Sequence, residues 1–378
     1  MARKLLDNFR DQEIVQSLVK EQGTFVANSI LEEALVIASA YCVKPKKYLI
    51  VKNNLYQAQR LFEYLSYFLG ETSVTSFFFD ETLRIEALSA SKELLSQRLD
   101  SLNMSLKEEP RIIVTHTLGY IRHLPSRDNF VKFTKVITTG EVISREKLIN
   151  SLTNAGYNRV SKISNPLEFS PRGAIIDFYS VNYEDPVRIE FFDDKIDSIR
   201  FFDINTQRTK EVVSEVVVLP GSEFIVTNKD IPKVIDEKLK EAKTKLAASV
   251  YDELEFNINK DIESLLSGSN NPSLAKYYEL FEEVNTISDY FKPDICLLMD
   301  KVAIEENFLL IEREMFEYQE ELFWLGKSLN NLKPYKDLGK VHYRNKSNLS
   351  FKNIVEDKGD LSIDIKGVSN YQGNSKLL

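Results

Sequence analysis

The amino-acid sequence predicts an α/β protein: a parallel-sheet region followed by a smaller α+β block. Three features carry that expectation. Over residues 1–123 short apolar runs alternate with helical patterns, the arrangement that builds a parallel sheet covered by helices. Over residues 167–209 the apolar period changes to two, with turn residues between the runs. A further apolar run, residues 295–299, comes late in the chain and is followed by a long helical pattern. The 378 residues suggest two or three domains, and 43% hydrophobic residues are enough for packed cores.

Residues 1–22 place Leu5, Leu6, Phe9, Ile14, Val15, Leu18 and Val19 in a mixed pattern that reads as a helix. Residues 29–43 are a second helix, almost wholly apolar after Glu33, and 46–52 a short strand. Asn53-Asn54 opens a helix with Leu55, Ala58, Leu61, Phe62 and Leu65 on one face. Residues 73–79 read as strand, 89–102 as helix, 111–115 as a buried strand and 117–123 as a short helix.

The stretch from Pro125 to Asn129 breaks the alternation. Residues 130–138 read as strand and 144–155 as helix, with Ser144 as N-cap and Gly156 just past the end. Ile175, Ile176 and Phe178 form one run. Val187, Ile189 and Phe191 alternate with Arg188, Glu190 and Phe192, the period of a half-buried strand. Ile196, Ile199 and Phe201 follow an Asp193-Asp194 turn, and 212–219 is one more strand. Residues 228–251 read as a lysine-rich helix. Further helices cover 253–267 and 274–290, and a long acidic one covers 303–329. Short strands at 350–351 and 362–365 precede a polar end.

The net charge of −8 is uneven: residues 124–210 hold 13 Lys and Arg against 12 Asp and Glu, so the acidity lies in the flanks. An acidic chain argues against extensive nucleic-acid binding by these residues themselves. Cys42 and Cys296 lie far apart in apolar surroundings, as buried thiols in a reducing compartment would. No signal peptide or bilayer-spanning apolar run is visible, so the expected location is cytoplasmic.

A phosphate-binding loop needs bare backbone N–H groups and a lysine between a strand and a helix. Residues 22–33 stand at that place but offer only Gly23, with Glu32 and Glu33 at the helix start to repel a phosphate. Asp300 follows an apolar strand as a metal-holding carboxylate would, but Lys301 follows it and a strand-end turn is the simpler reading. His116, His123 and His342 have no ligand spacing with the cysteines. No Ser/His/Asp or Cys/His arrangement is visible, and the acidic runs 252–255 and 312–321 read as solvated helix faces. No cofactor or metal is therefore expected.

Arg172, Arg188 and Phe192 stand apart. The two arginines are expected where strands begin, with Phe192 on the same face as Arg188. Each arginine could pair with Glu168, Asp177 or Glu190 on a neighbouring strand. Equally, a guanidinium and an aromatic ring together make a protein-docking face.

The order Gly156-Tyr157, Glu168-Phe169, Arg172-Gly173, Asp177, Pro186, Arg188, Phe191-Phe192, Arg200, Phe202 and Gln207-Arg208 resembles the UvrB-like module of the bacterial transcription–repair coupling factors. Weaker similarities lie at residues 54–59, 96–99, 297–300 and 370–378. The resemblance implies a degenerate domain 1A like a P-loop NTPase at 1–123 and an inserted UvrA-interaction domain 2 at 124–211. A domain 1B at 212–350 would complete the first sheet, and 351–378 would be a linker or the start of the next domain. It implies that domain 2 docks UvrA through Arg172, Arg188 and Phe192, without catalysis by this chain. It further implies packing of this face against C-terminal regions in a full-length protein. RNA polymerase and DNA would be engaged only beyond residue 378, so the chain reads as a portion of a larger protein. The alternative, a UvrB-like helicase fragment, would carry an intact phosphate loop and a tyrosine-rich hairpin, and this sequence has neither.

Overall fold

A computed structural model describes residues 2–70, 72–79, 92–223, 230–266, 272–281, 284–341, 349–352 and 360–362. The first helical stretch is two helices, α1 (Ala2–Phe9) and α2 (Glu13–Val19). Leu6 and Val15 would face opposite ways on one straight helix, and the turn between lets both be buried. A strand absent from the sequence reading follows, β1 (Gly23–Val26), and then α3 (Ile30–Val43). Next come β2 (Tyr48–Lys52), α4 (Leu55–Leu69), β3 (Val74–Phe77), α5 (Lys92–Ser105), β4 (Ile112–His116) and α6 (Thr117–Ile121). Asn54 caps α4 by accepting from the Gln57 N–H at 2.9 Å.

The stretch read as one strand at 130–138 is instead helix α7 (Arg127–Phe133) and strand β5 (Lys135–Thr138). Ser126 accepts from the Asn129 N–H and starts the helix, so local capping outweighs the strand-like side chains. Helix α8 (Arg145–Asn154) begins as expected, with Ser144 accepting from the Lys147 N–H. It ends at Gly156, whose φ of 97° a side chain would resist. The strands β6 (Asn158–Arg159), β7 (Glu168–Arg172), β8 (Ile175–Phe178), β9 (Val187–Phe192), β10 (Lys195–Phe202) and β11 (Thr209–Val213) follow, then β12 (Glu215–Val218). The single strand expected at 212–219 thus divides between two sheets at Ser214, whose carbonyl is taken by the Thr139 N–H.

The lysine-rich helix is α9 (Ile231–Lys243), and α10 (Ala248–Leu266) continues through the expected break near residue 252. The helix expected at 274–290 is a 3-10 turn (Pro272–Tyr277) and two short helices, α11 (Tyr278–Phe281) and α12 (Ile287–Phe291). The remaining elements are β13 (Ile295–Leu298), α13 (Lys301–Trp324), β14 (Leu349–Lys352) and β15 (Leu361–Ser362).

β13, β2, β4 and β3 form, in that order, a four-stranded parallel sheet. β14, β1 and β15 form a second parallel sheet. A bridge from Met299 to Phe351 joins the two edges. β13 therefore returns from late in the chain to the first sheet, and β15 pairs with β1 from within the stretch read as linker.

Alternation along β2 and β4 fixes the layers. Tyr48, Ile50, Ile112 and Val114 face a core built with α1–α4. Leu49, Val51 and Ile113 face the opposite core, which runs on without a break into β7–β10 through Phe169, Ile176, Val187, Ile189 and Ile199. A third core joins α9, α10 and the end of α13 around Ile235, Leu254, Tyr277 and Phe323. The molecule is a mixed α/β protein with parallel sheets and an inserted mixed sheet.

Candidate protein-docking site

The inserted sheet has the order β11-β10-β9-β8-β7-β6, antiparallel throughout except for the β7–β6 pair. One face is core. Ile176, Val187, Ile189 and Ile199 are fully buried there. On the other face Asp177 lies opposite Arg188, which lies opposite Arg200, which lies opposite Val212. Phe192 lies opposite Lys195 across the Asp193-Asp194 turn, where Asp193 takes a φ of 54°. A bulge between Ile196 and Ser198 keeps Lys195, Ser198 and Arg200 on one face despite their change of parity.

Asp177 organises this face. It is 1% exposed, a depth at which an unpaired carboxylate would be costly. Arg188 satisfies it with a fork, Nε to Oδ1 at 2.7 Å and a terminal nitrogen to Oδ2 at 2.8 Å. A terminal nitrogen of Arg172 reaches the same Oδ2 at 2.6 Å. Arg188 also donates to Gln207 Oε1 at 2.9 Å and lies over the Phe202 ring, 4.3 Å from its centre. Gln207 reaches it from a tight loop in which the Asp203 carboxylate accepts the Asn205 and Thr206 N–H groups. The neighbouring carboxylate pushes the Arg188 guanidinium above its ordinary range.

Of the three acids offered as partners, Asp177 alone meets Arg172 and Arg188. Glu190 pairs with Arg200 and accepts from the Ser198 hydroxyl, while Glu168 accepts from the N–H groups of Ser164 and Asn165. Arg172 ends β7 rather than beginning a strand, so it leans outward with 49% of its side chain exposed. Phe192 is 73% exposed, and Val142 and Val212 share that openness. Val142 bridges to Lys195 on the far side from Phe192, so the two apolar groups flank one lysine. Asp177 was visible in the sequence as one of three options. Phe202 and Gln207 stand in the run that carries the resemblance, without a role given to them there; strand pairing adds Val142 and Val212 to the face.

Where a phosphate loop would sit, side-chain acids of the chain itself take the nearby donors. The Asn28 N–H donates to Glu32 at 2.8 Å, and Ser29 Oγ accepts from the Glu32 N–H, a reciprocal cap on α3. Beside it Lys52 Nζ binds both oxygens of Glu33, at 2.8 and 2.9 Å, in a cleft of about 530 Å³. Burial raises the Glu33 carboxyl, with Lys52 opposing and Asp300 adding to the shift. Asp300 itself caps α13 from a left-handed conformation, accepting from the Ala303 N–H at 3.1 Å.

His116 is buried and its Nε2 accepts from the Phe79 N–H. Burial brings it down to about 4. His123 is also at about 4, through burial and then Arg122 and Lys336. His342 lies outside the described residues. Cys296 is buried, whereas Cys42 is exposed, contrary to its apolar sequence context; neither forms a disulfide. Among the described residues no cluster of His, Cys, Asp or Glu fits a metal, and no helix is long and apolar enough to cross a membrane.

Residues 136–224 match the family model described as the UvrB interaction domain. The chain is 33% identical over 294 residues to the transcription-repair-coupling factor of Bacillus subtilis strain 168, covering 76% of this chain and 25% of that protein. It is 29% identical over 330 residues to the factor of Staphylococcus aureus strain bovine RF122 / ET3-1, covering 80% and 28%. For the factor of Staphylococcus epidermidis strain RP62A the figures are 28% over 334 residues, 86% and 28%. The chain thus spans about a quarter of the length of the curated relatives it matches. By these matches the chain is homologous over most of its length to the transcription-repair-coupling factors, and it carries their UvrB interaction domain.

Proposed function

We propose that this chain is the N-terminal, non-catalytic part of a cytoplasmic transcription–repair coupling factor, and that its inserted sheet recruits UvrA to RNA polymerase stalled at DNA lesions. The observation that carries this reading is Asp177 holding Arg188 and Arg172 on the sheet face that also carries an exposed Phe192. An exposed ring supplies an anchor for an apolar pocket, and Arg172 keeps donors for an acidic rim. Domains 1A, 2 and 1B divide the chain as the resemblance suggests, and 1A is scaffold, a reading supported by Glu32 taking the Asn28 N–H and Glu33 the Lys52 ammonium. In a full-length protein, C-terminal regions would pack on the docking sheet, and contacts to polymerase and DNA would lie outside these residues.

Pull-down of purified UvrA by the chain, with Arg188→Ala and Phe192→Ala alongside, tests the reading. Retention by the wild type and loss by both variants is expected. Wild-type failure, or unchanged binding by both variants, overturns it. ATP hydrolysis above background by the purified chain would reinstate the helicase-fragment reading.

A further inference from the structure

Helix α13 is anchored on one side and bare on the other. Ile304, Ile311, Met315 and Phe323 are buried, and Gln319 makes two hydrogen bonds with the Leu332 backbone. The opposite side carries Val302, Leu309 and Phe316, spaced by seven, and then Trp324; all four are more than half exposed. At 100° per residue these four fall along one stripe about 33 Å long, which Glu306, Arg313 and Glu320 share. Glutamates line it: α13 holds seven Glu against Lys301 and Arg313, and, of the seven, Glu305, Glu312 and Glu317 pair with Lys301, Lys333 and Arg313.

We propose that this stripe docks an amphipathic helix of a partner protein, one with an apolar seam flanked by Lys and Arg. Apolar residues spaced by seven on a helix held from behind supply one of the two seam positions of helix pairing, and the charged residues between them supply contacts for the flanks of a partner helix. The charge selects the occupant. A second copy of this chain would set one net-acidic helix against another, seven Glu to two bases on each, which repel, whereas a basic-flanked helix pairs with it. The surface lies on α13, apart from the sheet of Arg188, and its occupancy does not depend on UvrA.

Trp324 is the single tryptophan of the chain and sits on the stripe, so its emission reports docking. The full chain is titrated with two synthetic 21-residue helical peptides sharing a leucine seam, one flanked by lysines and one by glutamates. A saturable blue shift with the lysine peptide is expected, at least about tenfold weaker with the glutamate peptide. The Leu309→Glu, Phe316→Glu double variant should keep its circular dichroism and lose the shift. No shift with the lysine peptide, equal response to both peptides, or an unaffected double variant overturns the proposal. So does a concentration-dependent dimer in sedimentation velocity, which would make a second copy the occupant.

Discussion

In the parallel sheet Lys52 meets Glu33 with 3 and 6% of the side chains exposed; in the inserted sheet Asp177, 1% exposed, meets Arg188 at 15% and Arg172 at 49%. Both are carboxylate–cation pairs at the mouth of a possible site. In the first, one acid meets one base at nearly equal depth, so the two charges offset each other inside the protein. In the second, one carboxylate holds two guanidiniums, and a net positive charge is left at the surface in fixed geometry. Matched pairing at equal depth neutralises both partners, and unmatched pairing leaves a charge at the surface.

The strongest way to break that contrast is Asp177→Ala. It strands a largely buried guanidinium, and loss of one partner of a buried pair costs about 3 kcal/mol or more. A matching fall in urea stability and loss of UvrA retention are expected. Asp177→Ala with wild-type stability would mean that the arginines need no organiser.

Glu33→Gln should cost about 2–3 kcal/mol of stability by leaving Lys52 without its charge partner. At 25 °C UvrA binding should stay unchanged. Adding Lys52→Met should recover most of the loss, since no charge then remains buried. Weakened UvrA binding in a folded Glu33→Gln variant would merge the two regions into one functional unit.

Phe192→Ala separates affinity from stability. The ring is mostly in solvent, so the melting midpoint should move little, equivalent to within about 0.5 kcal/mol. Affinity for UvrA, by titration calorimetry, should fall by about 2 kcal/mol if the ring is an anchor. A stability loss without an affinity loss would assign the ring to the fold.

The two regions also differed in how much the sequence disclosed. The helix start at Ser144, the alternation in β9 and the Asp193-Asp194 turn are local effects, and a short window contains all of their physics. β1 was invisible because GTFV becomes a strand only by pairing with residues more than three hundred positions later. Helix α7 was misread because its Ser126 cap decides against side chains that favour strand. At the docking face the residue types were legible but not the pairing. Choosing Asp177 over Glu168 or Glu190 needs the register of β8 on β9, and Gln207 needs the loop.

The last prediction uses pH to pull the regions apart. His116 ends β4, and burial holds it at about 4, well below the roughly 6.5 of an unfolded chain. Between those values the unfolded state binds more protons, so stability is full above pH 6.5 and falls as pH drops toward 4. At pH 5 the cost is up to about 2 kcal/mol, with His123 adding in the same direction. Protonation would also end the acceptor role of Nε2 toward the Phe79 N–H. Both histidines belong to the parallel-sheet region; residues 124–223 contain none. Hydrogen exchange between pH 7 and 5, corrected for intrinsic rates, should therefore show β2 and β4 losing protection before β9 and β10. His116→Gln should flatten the difference. Simultaneous loss in both sheets would show that the continuous core beneath them couples the two regions more strongly than their surface charges distinguish them.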